Sequence, residues 1–294
     1  MSARSLPSNI ESLTFGVEIE TTIPHGIVTV GPYHGGFPIR NGPAFAGQCW
    51  KAERDGSIMV RAAGHEACEF VSPVLKGEAG VAHLLEFVAW LNSIGARVNA
   101  SCGLHIHVGL DGLTDAARAE AIAEFIAKLA HVASFNATAL YAQTGTLGRE
   151  QGHFCAKPGD QYKQTVRRLR RTKAIHTAAE VSRYQMLNLT NVPRNRTVEF
   201  RCFAGTLNAD KVLAHLFSVL VLCRISAQLK TIPSWDNRPW SGTDAVWNLF
   251  KVRPVLRLVA CPVFASRFRP MLDKALEMAG KYDLAKAGTP APAE

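Results

Sequence analysis

Thr14-Phe15-Gly16-Val17-Glu18-Ile19-Glu20-Thr21 alternates between apolar and other side chains, the period of a half-buried β-strand. Residues two apart on a strand point the same way. Phe15, Val17 and Ile19 therefore share one face, and Glu18 and Glu20 share the other. The two carboxylates stand roughly 7 Å apart along such a strand. Like charges that close repel unless water, a cation or a metal screens them. On this stretch alone, a solvated face and a metal-binding face are both open.

Other stretches repeat the pattern. In Cys102-Gly103-Leu104-His105-Ile106-His107-Val108-Gly109, the two histidines share one face and Leu104, Ile106 and Val108 the other. Glu199 and Arg201 do the same in Arg196-Thr197-Val198-Glu199-Phe200-Arg201. Glu69 opens Glu69-Phe70-Val71-Ser72-Pro73, with Phe70 on the opposite face, and Asp55 sits in the turn Arg54-Asp55-Gly56-Ser57. If these strands form one antiparallel sheet with a single core face, the polar face gathers Glu18, Glu20, Glu69, His105, His107, Glu199 and Arg201. Carboxylates crowded in this way have raised pKa values unless cations neutralise them. A mostly oxygen donor set favours Mg2+ or Mn2+. His-x-His is also a zinc fragment, which zinc hydrolases use with carboxylates, and Glu199 with Arg201 reads equally as an ion pair.

The 294 residues, 47% of them hydrophobic, suffice for a sizeable core. A net charge of +9 and a pI near 9.4 suit an anionic partner without choosing one. Seven scattered cysteines with no CxxC pair read as reduced, buried thiols. Residues 1–10 lack the apolar run of a signal peptide. The apolar stretch 212–225 is interrupted by His215 and Ser218 and is too short to span a bilayer. These features predict a soluble, cytoplasmic protein. No P-loop and no Gly-x-Ser-x-Gly elbow is present.

Periodicity and turn chemistry place the elements. After a loose lead-in over 1–12, strands are expected at 14–22, 49–54, 66–72, 104–110, 183–190 and 196–203. A hairpin-type turn is expected at Asp55-Gly56 and a turn at 191–195. Helices are expected at 78–94, 114–140, 160–180, 208–229, 243–250 and 266–280. Gly- and Pro-rich loops cover 24–47 and 143–159. Strands in ones and twos between helices predict an α+β fold with a mostly antiparallel sheet. One domain is expected over 1–283, its C-terminal part (232–283) helical, with a disordered tail over 284–294. The basic segment 166–173 reads as a solvated helix face or as an anion groove.

The order Phe-Gly-Val-Glu-Ile-Glu, Asp-Gly-Ser, Glu-Phe-Val-Ser-Pro-Val-Leu, Cys-Gly-Leu-His-Ile-His-Val-Gly and Arg-Thr-Val-Glu-Phe-Arg resembles the amidoligase family. That family belongs to the carboxylate–amine ligase superfamily of glutamine synthetase and glutamate–cysteine ligase. The resemblance runs from about Phe15 to Thr206. It implies a curved antiparallel sheet whose concave face binds Mg2+ and ATP, with helices on the other face. By this resemblance Glu18, Glu20, Asp55, Glu69, His105 and Glu199 match metal ligands, and His107 a residue near the phosphates. Arg201 and Arg196 match arginines that touch phosphate or the activated carboxylate. Glu69 is also a candidate catalytic carboxylate, and Glu66 a weaker one. Arg196 falls on the strand face opposite Arg201 unless the chain bends after Pro193. Among the tryptophans, Trp50, which leads into Asp55, is the candidate for contact with the nucleotide.

The resulting expectation is an ATP- and Mg2+-dependent ligase. It would join a small-molecule or peptide carboxylate to an amine, as an amide or isopeptide, through an acyl phosphate. Two alternatives stay open. One is a zinc-dependent hydrolase built on His105 and His107; the other is a non-catalytic nucleotide- or nucleic-acid-binding protein using the arginine-rich helix. No recognised nucleic-acid motif supports the last.

Overall fold

The computed structural model describes residues 10–232, 235, 240–251, 255, 257 and 260–288. In chain order the elements are β1 (Thr14–Pro24), β2 (Phe37–Pro38), β3 (Ala44–Phe45), β4 (Gln48–Cys49), β5 (Lys51–Glu53), β6 (His65–Val71) and β7 (Leu75–Lys76). Then come α1 (Gly77–Ser93), β8 (Gly103–Gly109), α2 (Ala119–Phe135), α3 (Ala137–Ala142), α4 (Gly148–Gln151) and α5 (Asp160–Thr172). The rest are β9 (Leu187–Asn188), α6 (Val192–Asn195), β10 (Thr197–Ala204), α7 (Ala209–Gln228), α8 (Gly242–Leu249) and α9 (Pro262–Lys286). The main sheet has eight strands in the order β2-β5-β6-β1-β8-β10-β9, with β7 also paired to β1. Its ladders are antiparallel. The fold is the mixed α+β class that the strand pattern predicts.

Alternation decides which face is which. Phe15, Val17 and Ile19 of β1, Leu104, Ile106 and Val108 of β8, and Val198 and Phe200 of β10 are all buried in one apolar cluster. Helices α1, α2 and α7 close that cluster. The helix α1 presents Val81, Leu84, Val88 and Leu91 as a buried stripe, the 3.6-residue period of an amphipathic helix. The long helix α7 is buried nearly all round, and Asn208 caps it by accepting from the Lys211 backbone N–H at 3.0 Å. Among the described residues no helix is long and apolar enough to cross a membrane, and all seven cysteines are free.

Several boundaries differ from expectation for local reasons. The helix expected over 114–140 starts at Ala119 and breaks at Asn136. Asp115 bonds the Ala117 N–H at 3.2 Å, forming a local turn that competes with the helix. The basic helix expected over 160–180 stops at Lys173, which takes φ 59°, and a 3-10 segment follows over Ile175–Glu180. Its outer face is solvated and partly paired, Arg170 with Glu124 and Arg168 with Glu180. Of the strand expected over 183–190, Leu187–Asn188 pairs with β10 and Gln185 makes an isolated bridge to Ala156, and the turn after it is the short helix α6. The lead-in is not loose at its end, where Ile10–Ser12 is a 3-10 turn with Ile10 buried. Asp55-Gly56 is not a tight hairpin, because β5 and β6 pair across the longer connection 54–64. The loop after β1 folds back to place β2 on β5. Loop 143–159 contains α4 and a 3-10 turn over His153–Cys155. The helix expected over 266–280 runs over Pro262–Lys286, and residues 289–294 of the expected tail lie outside the described residues.

Trp50 corrects the sequence expectation most clearly. It is fully buried. Its ring stacks on Phe87 of α1 at 3.6 Å and 1°, and its Nε1 donates to His83 Nε2 at 3.0 Å. Trp50 shares the core side with Ala52, so it clamps β5 to α1 and does not face the polar side. Trp50→Ala should therefore cost about 3–5 kcal/mol of stability, measured by chemical denaturation, and Trp50→Phe markedly less.

Candidate functional site

The register lines up the polar face in rows. Glu53 of β5 lies opposite Glu69 of β6, and Glu69 lies opposite Glu20 of β1. The next row pairs Glu18 with His105. Beyond it, Gly16, His107, Glu199 and Asn188 lie across β1, β8, β10 and β9. Glu20, Glu53, Glu69, His105, Glu199, Asn188 and Arg201 are all buried polar residues. They line, with Glu18, His107 and Asp55, a basin whose central cavity is about 210 Å3 and which continues toward Glu20.

His105 stands among the carboxylates. Its Nδ1 lies 3.1 Å from Glu18, 3.8 Å from Glu199 and 4.0 Å from Glu69, and its Nε2 lies 3.5 Å from Glu20. His107 Nε2 lies 3.0 Å from the other oxygen of Glu18. Glu199 is held by Asn188 Nδ2, which donates to it at 2.7 Å, and by Arg201 Nη1. Glu20 accepts from the Gly103 N–H at 2.6 Å.

The electrostatics follow from this crowding. Burial, with Glu18, Glu20, Asp55 and Glu53 around it, pushes the Glu69 carboxyl up to about 9. Burial alone raises Glu18, but His107 and His105 outweigh it and hold that carboxyl well below its usual range. Burial pulls the His107 imidazole down, but Glu18 reverses this and leaves it at about 9. Three sets of ligand atoms lie within 4.8 Å of one another: Glu18, Glu69 and His105; Glu18, His107 and Glu199; Glu20, Asp55 and Glu69. Neighbouring sets share Glu18 or Glu69. Burial and the neighbouring carboxylates together push the Glu69 carboxyl toward neutrality, a cost that a bound divalent cation would relieve. The oxygen-rich donor set fits a hard cation.

Two local features shape the site. A bulge interrupts β10 between Phe200 and Phe203, which pair with Ile106 and Leu104. Both phenylalanines are buried in the core, while Arg201 joins the basin. Bulges next to functional sites re-aim side chains in this way. At Gly103, an added Cβ would lie 2.5 Å from Arg149 Nη2 and 2.9 Å from His105 Nε2. Gly103→Ala should cost about 1–3 kcal/mol by overpacking, read as a lowered denaturation midpoint.

Not every expected residue joins the basin. Arg196 takes φ 53°, and its Nη1 donates to the Val192 and Pro193 carbonyls at 3.2 and 3.1 Å. Its guanidinium caps α6 and lines a second cleft of about 510 Å3 that shares Glu18 and His107 with the basin. Trp50 is in the core, as described. Glu66 lies away from the basin, 3.7 Å from His25. Burial pushes the Cys102 and Cys202 thiols up, which suits small buried groups and not nucleophiles. The sequence reading missed Glu53, whose oxygens accept the His34 and Gly36 N–H groups at 3.4 and 3.2 Å. The alternation Lys51-Ala52-Glu53 was the available signal. Arg149, on the four-residue helix α4, and Arg183, in the segment before β9, also reach this face, and neither has a periodicity to reveal it.

Comparison with known proteins agrees with the motif order. The family model described as "Putative amidoligase enzyme" matches residues 40–220, more than half of the 294 residues. The chain belongs to this family. The match covers β5, β6, β8 and β10 but not β1, whose carboxylates reach the basin through the ladders with β6 and β8. A solved structure described as a "novel glutamine synthase homolog" is similar at a TM-score of 0.41 and 15% identity, over 94% of this chain and 68% of that one. No curated protein matches the chain at a significant level.

Proposed function

We propose that the protein is an ATP-dependent carboxylate–amine ligase that uses Mg2+ or Mn2+. The observation that carries this reading is the convergence of Glu18, Glu20, Glu69, His105, His107, Glu199 and Arg201 on one sheet face, together with membership in the amidoligase family. Bound cations would supply positive charge that lets an anionic carboxylate and a triphosphate approach each other. Glu18, Glu20, Asp55, Glu69, His105 and Glu199 would hold them.

In this reading the substrate carboxylate oxygen attacks the terminal phosphorus of ATP, the bond to the bridging oxygen breaks, and ADP leaves. The amine nitrogen then attacks the acyl carbon, the bond to the phosphate oxygen breaks, and inorganic phosphate leaves. Arg201, which pairs with Glu199, would stabilise charge on the transferred phosphoryl group. A carboxylate of the basin accepts the proton that the amine sheds, and Glu69 is the candidate. Asn188 acts as a positioning residue for Glu199.

Phosphate release with a matrix of amines and carboxylates tests the reading. Turnover should require both substrates, and Glu18→Gln or Glu20→Gln should lower it more than about 100-fold. Full activity in both variants sinks the assignment. Tightly held zinc with hydrolysis in the absence of ATP would favour the hydrolase alternative instead.

Cation binding also has a proton signature. Burial and its carboxylate neighbours push the Glu69 carboxyl up to about 9, and ligation needs that group deprotonated. Affinity for Mg2+ should therefore rise as pH climbs toward 9. Calorimetric titration near neutral pH, in buffers of differing ionisation enthalpy, should show net proton release.

A further inference from the structure

The basin opens on a mouth at the Glu20 end of β1, and the chemistry of that mouth differs from the rest. Arg149, Arg183 and Arg201 line a cavity of about 240 Å3, with Glu20 and Asp55 on the basin side. Arg149 comes from α4 and reaches β10, donating from Nη2 to the Arg201 carbonyl at 3.2 Å. The Nε groups of Arg149 and Arg201 are buried without a hydrogen-bond partner among the described residues. Buried guanidinium N–H groups left in that state call for an acceptor. Arg183 is exposed, donates to the Tyr33 hydroxyl at 3.3 Å and lies 5.8 Å from the Tyr184 ring.

The rim is apolar. Phe154 and Tyr33 are 49% and 50% exposed, and Phe154 meets Tyr184 edge-on at 5.4 Å. Met59, 59% exposed, is tied to the same rim through its N–H, which donates to Ser101 Oγ at 2.9 Å. Exposed aromatic and thioether side chains gathered around a charged cavity mark a binding surface.

Charge and size indicate which reactant fits. Arg201 is committed to Glu199, which leaves Arg149 and Arg183 as the guanidiniums that can meet a ligand in this cavity; two such groups suit a single carboxylate and not a triphosphate. The cavity is below the roughly 300–1,000 Å3 of pockets that enclose a larger ligand. The second cleft, at about 510 Å3 and walled by Val71, Pro73 and Val74, has room for a nucleotide.

We propose that this mouth is the binding site for the carboxylate substrate, and that the substrate carries its carboxylate beside an apolar or aromatic group, as at the C-terminus of a peptide. Arg149 and Arg183 hold the carboxylate, and Phe154, Tyr184 and Tyr33 cover the neighbouring group. The term substrate rests on the ligase reading; the binding itself does not.

The test is titration of the full chain, without nucleotide or added metal, with N-acetyl-phenylalanine and with its amide, followed by ligand-observed NMR. The acid should bind about tenfold or more tightly than the amide, since the amide lacks the charge. Arg183→Gln, on an exposed side chain, should weaken the acid by about the same factor, and Phe154→Ala should weaken acid and amide alike. Displacement of a fluorescent ATP analogue should stay within about twofold in Phe154→Ala, since Phe154 lines the mouth and not the central basin. Equal binding of acid and amide, or a variant that loses the nucleotide and keeps the acid, overturns the proposal. Acid binding without any ATP turnover leaves this site standing and removes the ligase reading. Turnover with no preference for the acid does the reverse.

Discussion

Three carboxylates, Glu53, Glu69 and Glu20, lie directly opposite one another on three adjacent strands. Like charges so placed destabilise a sheet, and each of these is buried. The surrounding structure compensates for that repulsion. Glu20 is tied to the Gly103 amide, Glu53 to two amides of the loop after β1, and His105 reaches several carboxylates at once. Glu69 has only the distant His105 contact at 4.0 Å, and burial with its carboxylate neighbours pushes its carboxyl up to about 9. The sheet thus keeps an electrostatic deficit at one place, beside the ligand sets that cations can occupy.

The core explains how the sheet tolerates this. The inward residues Phe15, Val17 and Ile19 of β1 and Leu104, Ile106 and Val108 of β8 lie in one apolar cluster with residues of the helices, and burial of apolar area on that side offsets the cost of the polar side. The Trp50 stack on Phe87 fixes the short strand β5 to α1. Without that clamp, Glu53 would sit on a three-residue strand with little to hold its register. A large aromatic on the hidden face thereby positions a carboxylate on the open one.

Much of this was legible in the sequence because a period of two is a local property. Glu18 with Glu20, His105 with His107, and Glu199 with Arg201 each declare a shared face within three residues. Where the period breaks, legibility stops. The bulge in β10 puts Phe203 on the core side despite its spacing from Arg201, and the left-handed turn at Arg196 diverts its guanidinium to α6. Trp50 misled because its neighbour Asp55 is in the basin, yet the strand turns Trp50 inward. Arg149 and Arg183 depend on how α4 and the segment before β9 pack onto the sheet, a long-range result that no short pattern encodes.

The main sheet ends on both sides in a two-residue strand, β2 and β9. An edge that short, with Pro38 on one side, offers few free N–H and C=O groups to a passing chain. On the other side, the Asn188 side chain is already committed to Glu199. Self-association by strand addition is disfavoured at both ends, and the sheet stays a finite platform.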